Sequence, residues 1–341
     1  MAASKLIYTS TDGMTNDDWL RFRKQGIGAS EVGYILGLSP YKSKLELFYE
    51  KISPNIFHDV ESIPAFMGKF MEEHIATMWQ YWKEGGTQMD MQDNYRLKNK
   101  VRTMQRVNAY IQNPKYPHLF VSLDRRINKH NGKQNGCLEI KTIAEYEARK
   151  WEGGIPAYHV AQIHTQMMVT GWNYGEIAAF KDGRYLEVYP FKPHAGFRKE
   201  IVKQTTDFWA RVASARILMT QKFEFEKNFN MKKVQEIEAA LMRLEPDPDG
   251  SEALANFLKE KYLNPEPVSE RQGTLHEFEE AKRHLILKSK NKELKERLTL
   301  SENTLKNSMK NVECLTFGEG GRLYWKKDAS GSRRFINKIA V

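Results

Sequence analysis

The sequence contains only two cysteines, Cys137 and Cys314, among 341 residues. Two thiols are too few for a disulfide framework or a cysteine-rich metal cluster, and both are interpreted as reduced. No apolar run is long enough to cross a bilayer, and residues 1–13 have no signal-peptide pattern. The sequence therefore predicts a cytoplasmic protein that does not contact a membrane.

Positive charge is in surplus, with 53 Lys and Arg against 43 Asp and Glu, a net charge of +10. This surplus favours a polyanionic partner such as nucleic acid. Both signs are mixed along the chain, which excludes a simple basic tail. Five basic residues at positions 96, 98, 100, 102 and 106 alternate with apolar ones in a segment predicted to be a strand. That segment is either a nucleic-acid contact or a solvated sheet face.

The length exceeds what one hydrophobic core usually serves, so two domains are predicted. Helical and strand patterns interleave over residues 1–220, which favours a mixed sheet flanked by helices. Residues 221–341 are predicted to be mainly helical, with a long helix over 271–311 and a terminal β-hairpin formed by 312–317 and 322–326. Aromatic and basic residues near this end suit either nucleic-acid contact or a plain solvated hairpin, namely Trp325, Lys326, Lys327, Arg333 and Arg334.

Two carboxylates and one ammonium are predicted to lie on neighbouring strands. Residues 118–127 and 137–143 have strand character, and the turn-rich run 128–136 joins them as a hairpin. Because side chains alternate along a strand, Glu139 and Lys141 point to one face, while Leu138 and Ile140 point toward the core. Asp124 and Glu139 are then candidate ligands of a hard cation such as Mg²⁺. The alternative is a surface hairpin with a cross-strand ion pair.

Short motifs on both sides of the hairpin occur in a recognisable order. They are Arg23, Ile27-Gly28-Ala29-Ser30-Glu31, Leu36-Gly37-Leu38-Ser39-Pro40-Tyr41-Lys42, Gly68 with Glu72, Asp124, Glu139-Ile140-Lys141 and Tyr158 to Gln162. Over residues 17–220 this set resembles the YqaJ-like viral recombinases, a family similar to phage lambda exonuclease within the PD-(D/E)XK nuclease superfamily. The resemblance implies an α/β restriction-endonuclease-like core.

The resemblance also implies a set of roles for individual residues. Asp124 and Glu139 match the family's metal-binding carboxylates, and Lys141 matches its catalytic lysine. Glu72 matches the acidic residue of an upstream helix, and it is preferred to Glu73 because it stands four residues beyond Gly68. The implied metal site consists of Glu72, Asp124, Glu139 and Ile140. Mg²⁺ is the expected cofactor, with Mn²⁺ as a substitute.

A helix predicted over residues 157–171 places Tyr158, Gln162 and Gln166 on one face by their four-residue spacing. In the family's arrangement Gln162 faces the hairpin, where it would bond the lysine, the attacking water or a phosphate. Tyr158 is a candidate DNA contact. The alternative for Gln162 is a satisfied polar residue at the boundary of helix and sheet.

Near the amino terminus, the family's corresponding region meets the terminal phosphate of the bound strand. Arg23 and Ser30 are therefore the candidate 5′-phosphate ligands. A helix start at Ser30 would leave backbone N–H groups for an anion, and an arginine can grip phosphate with two hydrogen bonds. The alternative is ordinary N-capping by Ser30 beside a solvated Arg23.

The resemblance implies a Mg²⁺-dependent 5′ to 3′ exonuclease that degrades one strand from double-stranded DNA ends. By resemblance it would be of phage or prophage type, in the host cytoplasm, and would work as a homotrimer with a single-strand annealing protein. The alternatives are an endonuclease on the same core and a non-catalytic DNA-binding or assembly module.

Overall fold

The structure is a computed structural model that describes residues 5–56, 62–130, 134–263, 270–327 and 331–339. The chain forms two compact units, Met1–Leu263 and Asn264–Val341. No helix in the described ranges is long and apolar enough to span a membrane. The boundary expected near residue 220, between a domain over residues 1–220 and an extension over 221–341, stays a prediction. In the structure that position lies inside a continuous helix, Ala195–Lys227.

The helices of the first unit are α1 (Asn16–Arg23), α2 (Val32–Ile35), α3 (Lys44–Ile52), α4 (Ile63–Gln80), α5 (Gln88–Arg96), α6 (Glu145–Ala148), α7 (Ala157–Thr170), α8 (Ala195–Lys227), α9 (Met231–Met242) and α10 (Glu252–Lys261). Their ends follow local chemistry. Helix α1 begins with a capping box between Thr15 and Asp18. Helix α7 follows Pro156 and ends at Gly171, whose φ of 74° lies in the left-handed region that glycine adopts without strain.

The strands of the first unit are β1 (Ile7–Ser10), β2 (Ile27–Gly28), β3 (Met104–Gln105), β4 (Ala109–Gln112), β5 (Leu119–Ser122), β6 (Arg125–His130), β7 (Gln134–Ile143), β8 (Gly175–Lys181) and β9 (Tyr185–Phe191). They form a four-stranded sheet in the order β1-β4-β5-β2 and a five-stranded sheet in the order β3-β6-β7-β8-β9. In the larger sheet β7 and β8 are parallel, and the other neighbours are antiparallel.

Hydrophobic cores cover both faces of the larger sheet. Cys137 of β7 belongs to a core shared with α7 and α8, whereas the next residue, Leu138, belongs to a second core built on α4. This alternation follows from the two-residue period of a strand. A mixed sheet flanked by helices, as the sequence predicts for this part of the chain, is therefore confirmed.

Two details of the predicted pattern are wrong. The strand expected over residues 118–127 is two strands of different sheets, because the chain changes sheets at Asp124. The basic segment over residues 96–106 is not one strand: Arg96 is the last residue of α5, and strand pairing begins only at β3. Arg102 in this segment pairs with the buried Glu176 at 2.6 Å.

The second unit contains α11 (Leu275–Met309) and the strands β10 (Cys314–Thr316), β11 (Gly321–Lys327) and β12 (Arg333–Ile339). The predicted long helix is confirmed, and its leucines at 285, 287, 294 and 298 are exposed. The predicted pairing of β10 with β11 is confirmed as well. A third antiparallel strand, β12, extends this hairpin into a three-stranded sheet.

Candidate active site

Glu139 is a buried carboxylate near the middle of β7, with 3% of its surface exposed. Side chains two residues apart share a strand face, so Glu139 and Lys141 lie on the side of the sheet that α7 covers. Leu138 and Ile140 point into the opposite core. The predicted orientation of these four residues is confirmed, although the acidic side chain is far more buried than a surface hairpin would allow.

Three donors hold the two oxygens of this carboxylate. Lys141 Nζ and Gln162 Nε2 each donate to Glu139 Oε1 at 2.6 Å, and Gln166 Nε2 donates to Oε2 at 2.6 Å. Gln162 and Gln166 are four residues apart, so they stand one above the other on the same face of α7. Lys141 thus holds the carboxylate from the strand, while Gln162 and Gln166 hold it from the helix.

Asp124 joins the two sheets and lies beside Glu139. Its Oδ2 accepts a hydrogen bond from the Ile140 backbone N–H at 2.7 Å. Burial raises the pKa of Asp124 well above its usual range, and the neighbouring charges of Glu139 and Glu72 raise this pKa further, while Lys141 opposes them. Lys141 therefore offsets only part of the negative charge that Glu139 and Glu72 place around Asp124.

Glu72 and Glu73 on α4 both reach a buried arginine. Arg125, 2% exposed, donates from Nη1 to Glu72 Oε1 at 2.5 Å and from Nη2 to Glu73 Oε2 at 2.6 Å. Its Nη1 also donates to the Asp124 carbonyl at 2.5 Å. The Glu72 side chain is 27% exposed and that of Glu73 is 64% exposed. Glu72 is the less exposed of the two glutamates, and its charge raises the pKa of Asp124. Both observations favour Glu72 over Glu73 as the functional residue.

A hard divalent cation fits the oxygen donors at Asp124 and Glu139, because Mg²⁺ prefers carboxylates to imidazole or thiolate. The excess negative charge around Asp124 is what such a cation would neutralise. Within the described ranges, no three acidic, histidine or cysteine side chains converge as a ligand set. Glu72 is instead turned toward Arg125. Of Ile140, only the backbone lies beside Asp124, since its side chain is buried in the core.

Lys141 is protonated in this environment. Burial lowers the pKa of its ammonium, but the charges of Glu139 and Asp124 outweigh that effect and raise this pKa above its ordinary value. A lysine that keeps its proton at neutral pH cannot act as a base. Its chemistry is limited to neutralising negative charge and donating hydrogen bonds.

Arg23 lines a separate cavity of about 260 Å³. Its Nη2 lies 2.7 Å from Glu31 Oε1, and the buried Lys51 lies 2.8 Å from Glu31 Oε2. Burial alone would raise the pKa of Glu31, but the charges of Lys51 and Arg23 lower this pKa to about 2. Lys24 and Lys42 add two more cations to the wall. The cavity therefore has four basic residues, with Glu31 and Glu50 as its acidic ones.

Ser30 also lines this cavity, and it caps neither the 3₁₀ turn nor α2, so the alternative of ordinary N-capping by Ser30 is wrong. Residues Ala29–Glu31 form a short 3₁₀ turn, and the Gly28 N–H is taken by Glu31 Oε2 at 2.8 Å. Ser30 is exposed in the middle of that turn. An incoming anion would thus meet its hydroxyl and the neighbouring cations rather than a free N–H of Gly28.

Tyr158 stands one turn before Gln162 on α7 and packs against the segment that follows Ser30. A Cβ added at Gly33 would lie 2.7 Å from Tyr158 Cβ, so the two backbones meet more closely than any other residue at position 33 would allow. The ring contacts Tyr41 edge-on, with centroids 5.7 Å apart. Burial, and then Tyr41, raise the pKa of the Tyr158 hydroxyl, which therefore stays neutral.

The sequence pattern left several residues of these two clusters without a role. Gln166 was recognisable from its spacing with Gln162 but received no function. Arg125, Glu31 and Lys51 were missed, because nothing in a single sequence distinguishes a buried charged residue from a solvated one. Burial of such residues depends on long-range packing, which local periodicity does not report.

Comparison with known proteins agrees with the motif order. A family model described as YqaJ-like viral recombinase domain matches residues 18–173, which include every candidate site residue. The chain is 26% identical over 301 residues to the uncharacterized protein YqaJ of Bacillus subtilis (strain 168), covering 88% of this chain and 80% of that protein.

Two solved structures are among those that resemble the chain. The alkaline exonuclease LHK-Exo from Laribacter hongkongensis matches with a TM-score of 0.47 and 16% identity, covering 61% of this chain and 98% of that one. SSO0001 matches with a TM-score of 0.32 and 14% identity, covering 58% and 87% of the two chains.

Proposed function

Since residues 18–173 of this chain belong to the YqaJ-like viral recombinase family, we propose that the protein is a Mg²⁺-dependent nuclease that degrades duplex DNA from its ends in the 5′ to 3′ direction. The observation that carries the proposal is the buried Glu139, held by Lys141, Gln162 and Gln166 beside Asp124. Burying charged groups costs free energy, and a non-catalytic binding module would not need such a cluster.

In the proposed mechanism Asp124 and Glu139 would hold the metal ion. When bound, it would polarise the scissile phosphate and lower the pKa of a water molecule. Gln162 and Gln166 fix the orientation of the Glu139 carboxylate by donating to its two oxygens. Lys141 remains a cation and stabilises the negative charge that develops on the phosphate in the transition state. Glu72 supplies additional negative charge from α4.

The cavity around Arg23 is the proposed site for the 5′-terminal phosphate, with Ser30 and Tyr158 as further DNA contacts. A terminal phosphate has its second pKa at about 6, so it carries more negative charge at neutral pH than an internal diester does. The four cations of the cavity outnumber its two carboxylates, Glu31 and Glu50, and this surplus of positive charge favours the terminus over internal positions. Holding the end still would position the scissile bond and accelerate cleavage.

The resemblance also supports a homotrimer around the duplex and a single-strand annealing protein that receives the 3′-ended strand. Light scattering at micromolar concentration tests the assembly. A monomer that digests processively would remove the ring as the source of processivity. All proposed catalytic residues precede residue 220, so the extension over 221–341 is proposed to be separable from the chemistry.

The decisive experiment incubates purified protein with end-labelled linear duplex and with covalently closed circular duplex, with Mg²⁺, with Mn²⁺ and without metal. The proposal expects metal-dependent shortening of the linear duplex from its 5′ ends and an intact circle. Cleavage of the circle would support an endonuclease instead. Binding without cleavage under every condition would indicate a non-catalytic module. The Asp124→Asn variant serves as the inactive control.

A further inference from the structure

The sheet of the second unit has two faces of different character. The register of β11 with β12 is continuous from Gly321↔Ile339 to Lys327↔Arg333. Because successive side chains of a strand point to opposite faces, this register assigns each side chain to one face of the sheet. One face, called the basic face below, presents eight residues: Cys314, Thr316, Arg322, Tyr324, Lys326, Arg334, Ile336 and Lys338. Four of these eight residues are cations and none is acidic.

The opposite face is occupied by structural contacts. Leu323 there is fully buried. The guanidinium of Arg333 lies 3.6 Å above the Trp325 ring and donates to the carbonyls of Lys310 and Val312 at 2.6 and 3.0 Å. Lys306 at the end of α11 approaches the Phe335 ring at 5.3 Å. Of the basic and aromatic residues that suit nucleic acid near this end of the sequence, Trp325 and Arg333 therefore stabilise the fold.

On the basic face, like charges are placed directly opposite each other. Arg322 pairs across the strands with Lys338, and Lys326 pairs with Arg334. Cross-strand neighbours of like charge are separated by only about 5 Å and destabilise a sheet. Because all four side chains are exposed, an anionic ligand that bridges each pair would remove the repulsion.

An aromatic residue separates the two cation pairs. Tyr324, opposite Ile336, is half-buried in the middle of the face, and Lys326 Nζ lies 5.4 Å from the centroid of its ring. At about 3.4 Å per residue, the pairs at positions 322 and 326 are roughly 14 Å apart. The face thus alternates phosphate-binding groups with one flat ring on which a base can stack.

We propose that the basic face binds single-stranded DNA, with Arg322, Lys338, Lys326 and Arg334 contacting the phosphates and Tyr324 stacking against a base. A base in a duplex is not available for stacking, so the central ring favours a single strand. The face is also flat and carries no helix that would enter a duplex groove. This site is separate from the catalytic cluster, and its existence does not depend on which reaction that cluster performs.

The test measures the affinity of the full chain for a fluorescently labelled poly-dT oligonucleotide by anisotropy, in EDTA, over a series of salt concentrations. All proteins carry Asp124→Asn to prevent cleavage. In the double variant Lys326→Glu/Arg334→Glu we expect the dissociation constant to rise at least about tenfold. The slope of log K against log salt should also fall by about 0.7 for each lost phosphate contact. Tyr324→Ala should weaken binding by about tenfold, whereas Tyr324→Phe should retain the parent affinity.

Lys327→Glu is the matched control, because Lys327 is the exposed neighbour of Lys326 on the opposite face and undergoes the same change of charge. The dissociation constant of Lys327→Glu should stay within twofold of the parent value, whereas that of Lys326→Glu should rise by more. Equal losses in these two single variants would show that only net charge matters, and this result would overturn the proposal. A double variant with parent affinity would overturn it as well.

A crosslinking experiment uses a protein whose sheet carries no substitution, so its result does not depend on how variants fold. Ultraviolet irradiation with a bromodeoxyuridine-substituted oligonucleotide should attach the strand to the peptide that contains Tyr324, as mapped by mass spectrometry. Crosslinks confined to the first unit would overturn the proposal. Cleavage of short duplexes by the same face variants in the Asp124 background should remain at the parent rate, so failure at this site is distinguishable from failure of the nuclease assignment.

Discussion

Gln166 Nε2 donates a 2.6 Å hydrogen bond to Glu139 Oε2, on the carboxylate oxygen that neither Lys141 nor Gln162 contacts. Gln166 is fully buried, so water cannot replace its amide. The orientation of Glu139 therefore depends on one residue of α7 that has no direct access to a substrate. Under the proposal that Glu139 binds the metal ion, loss of a group that orients this carboxylate lowers metal affinity, typically by about 10- to 100-fold.

Replacing Gln166 by Met keeps most of the volume and removes the donor. We expect the Mg²⁺ concentration that gives half-maximal cleavage to rise about 10- to 100-fold. The unsatisfied carboxylate oxygen should also reduce the free energy of unfolding by about 1–3 kcal/mol. Metal titrations of the cleavage rate measure the first effect, and urea unfolding measures the second. Gln204→Met on α8 is the control and should change neither quantity appreciably; an unchanged metal requirement in Gln166→Met would contradict a positioning role.

The raised pKa of Asp124 predicts how stability depends on pH. The folded, metal-free protein binds this proton more tightly than the unfolded chain does. Its contribution to stability is therefore complete below the ordinary pKa of an aspartate and is lost as pH rises through the raised pKa. Mg²⁺ binds only the ionised carboxylate, so the stabilisation by Mg²⁺ should grow with pH over the same window.

Melting temperatures measured with and without Mg²⁺, from about pH 5 to pH 9, test this dependence. The difference between the two curves should widen as pH rises in the parent protein. In Asp124→Asn it should be small and constant, because the amide does not titrate. A Mg²⁺-induced shift that is the same at every pH in the parent would show that Asp124 does not bind the ion.

The cavity around Arg23 predicts a preference for phosphorylated ends. Duplexes with a 5′-phosphate should be degraded faster than those with a 5′-hydroxyl, and Arg23→Ala should slow cleavage of phosphorylated ends by roughly ten- to a hundredfold, or about 1.5 to 3 kcal/mol. Arg21→Ala is a matched control on the same helix, because Arg21 is exposed and pairs with Asp17 and Asp18 outside the cavity. Equal rates on both kinds of end in the parent protein would favour the endonuclease alternative.

Glu31 is predicted to be essential for folding of this cavity. Glu31→Gln leaves the buried Lys51 and Arg23 without their shared carboxylate, and loss of one partner from a buried pair costs about 3–5 kcal/mol. Glu50→Gln, which removes a more exposed ion pair with Lys42, should cost no more than about 1 kcal/mol. Urea unfolding of both variants decides the point, and similar losses for the two would mean that burial of Glu31 is not the determining factor.

The sequence predicted those features that depend on local periodicity. Alternation alone placed Glu139 and Lys141 on the face opposite Leu138, and four-residue spacing placed Gln162 beside Gln166. It did not predict the change of sheet at Asp124, because the surrounding residues have strand character throughout and only long-range pairing separates β5 from β6. The third strand, β12, was also missed, since its basic residues lack the apolar alternation of a half-buried strand.

The close contact between Gly33 and Tyr158 has a consequence for the products of the reaction. It joins the segment that carries Ser30 to the helix that carries Gln162, so the two clusters cannot slide independently. If the terminal phosphate is held at one cluster and the bond is cut at the other, the fixed distance between the two clusters determines where the strand is cut. Every cut then releases a fragment of the same length. A methyl group at position 33 would push the backbones apart and should yield fragments of mixed length.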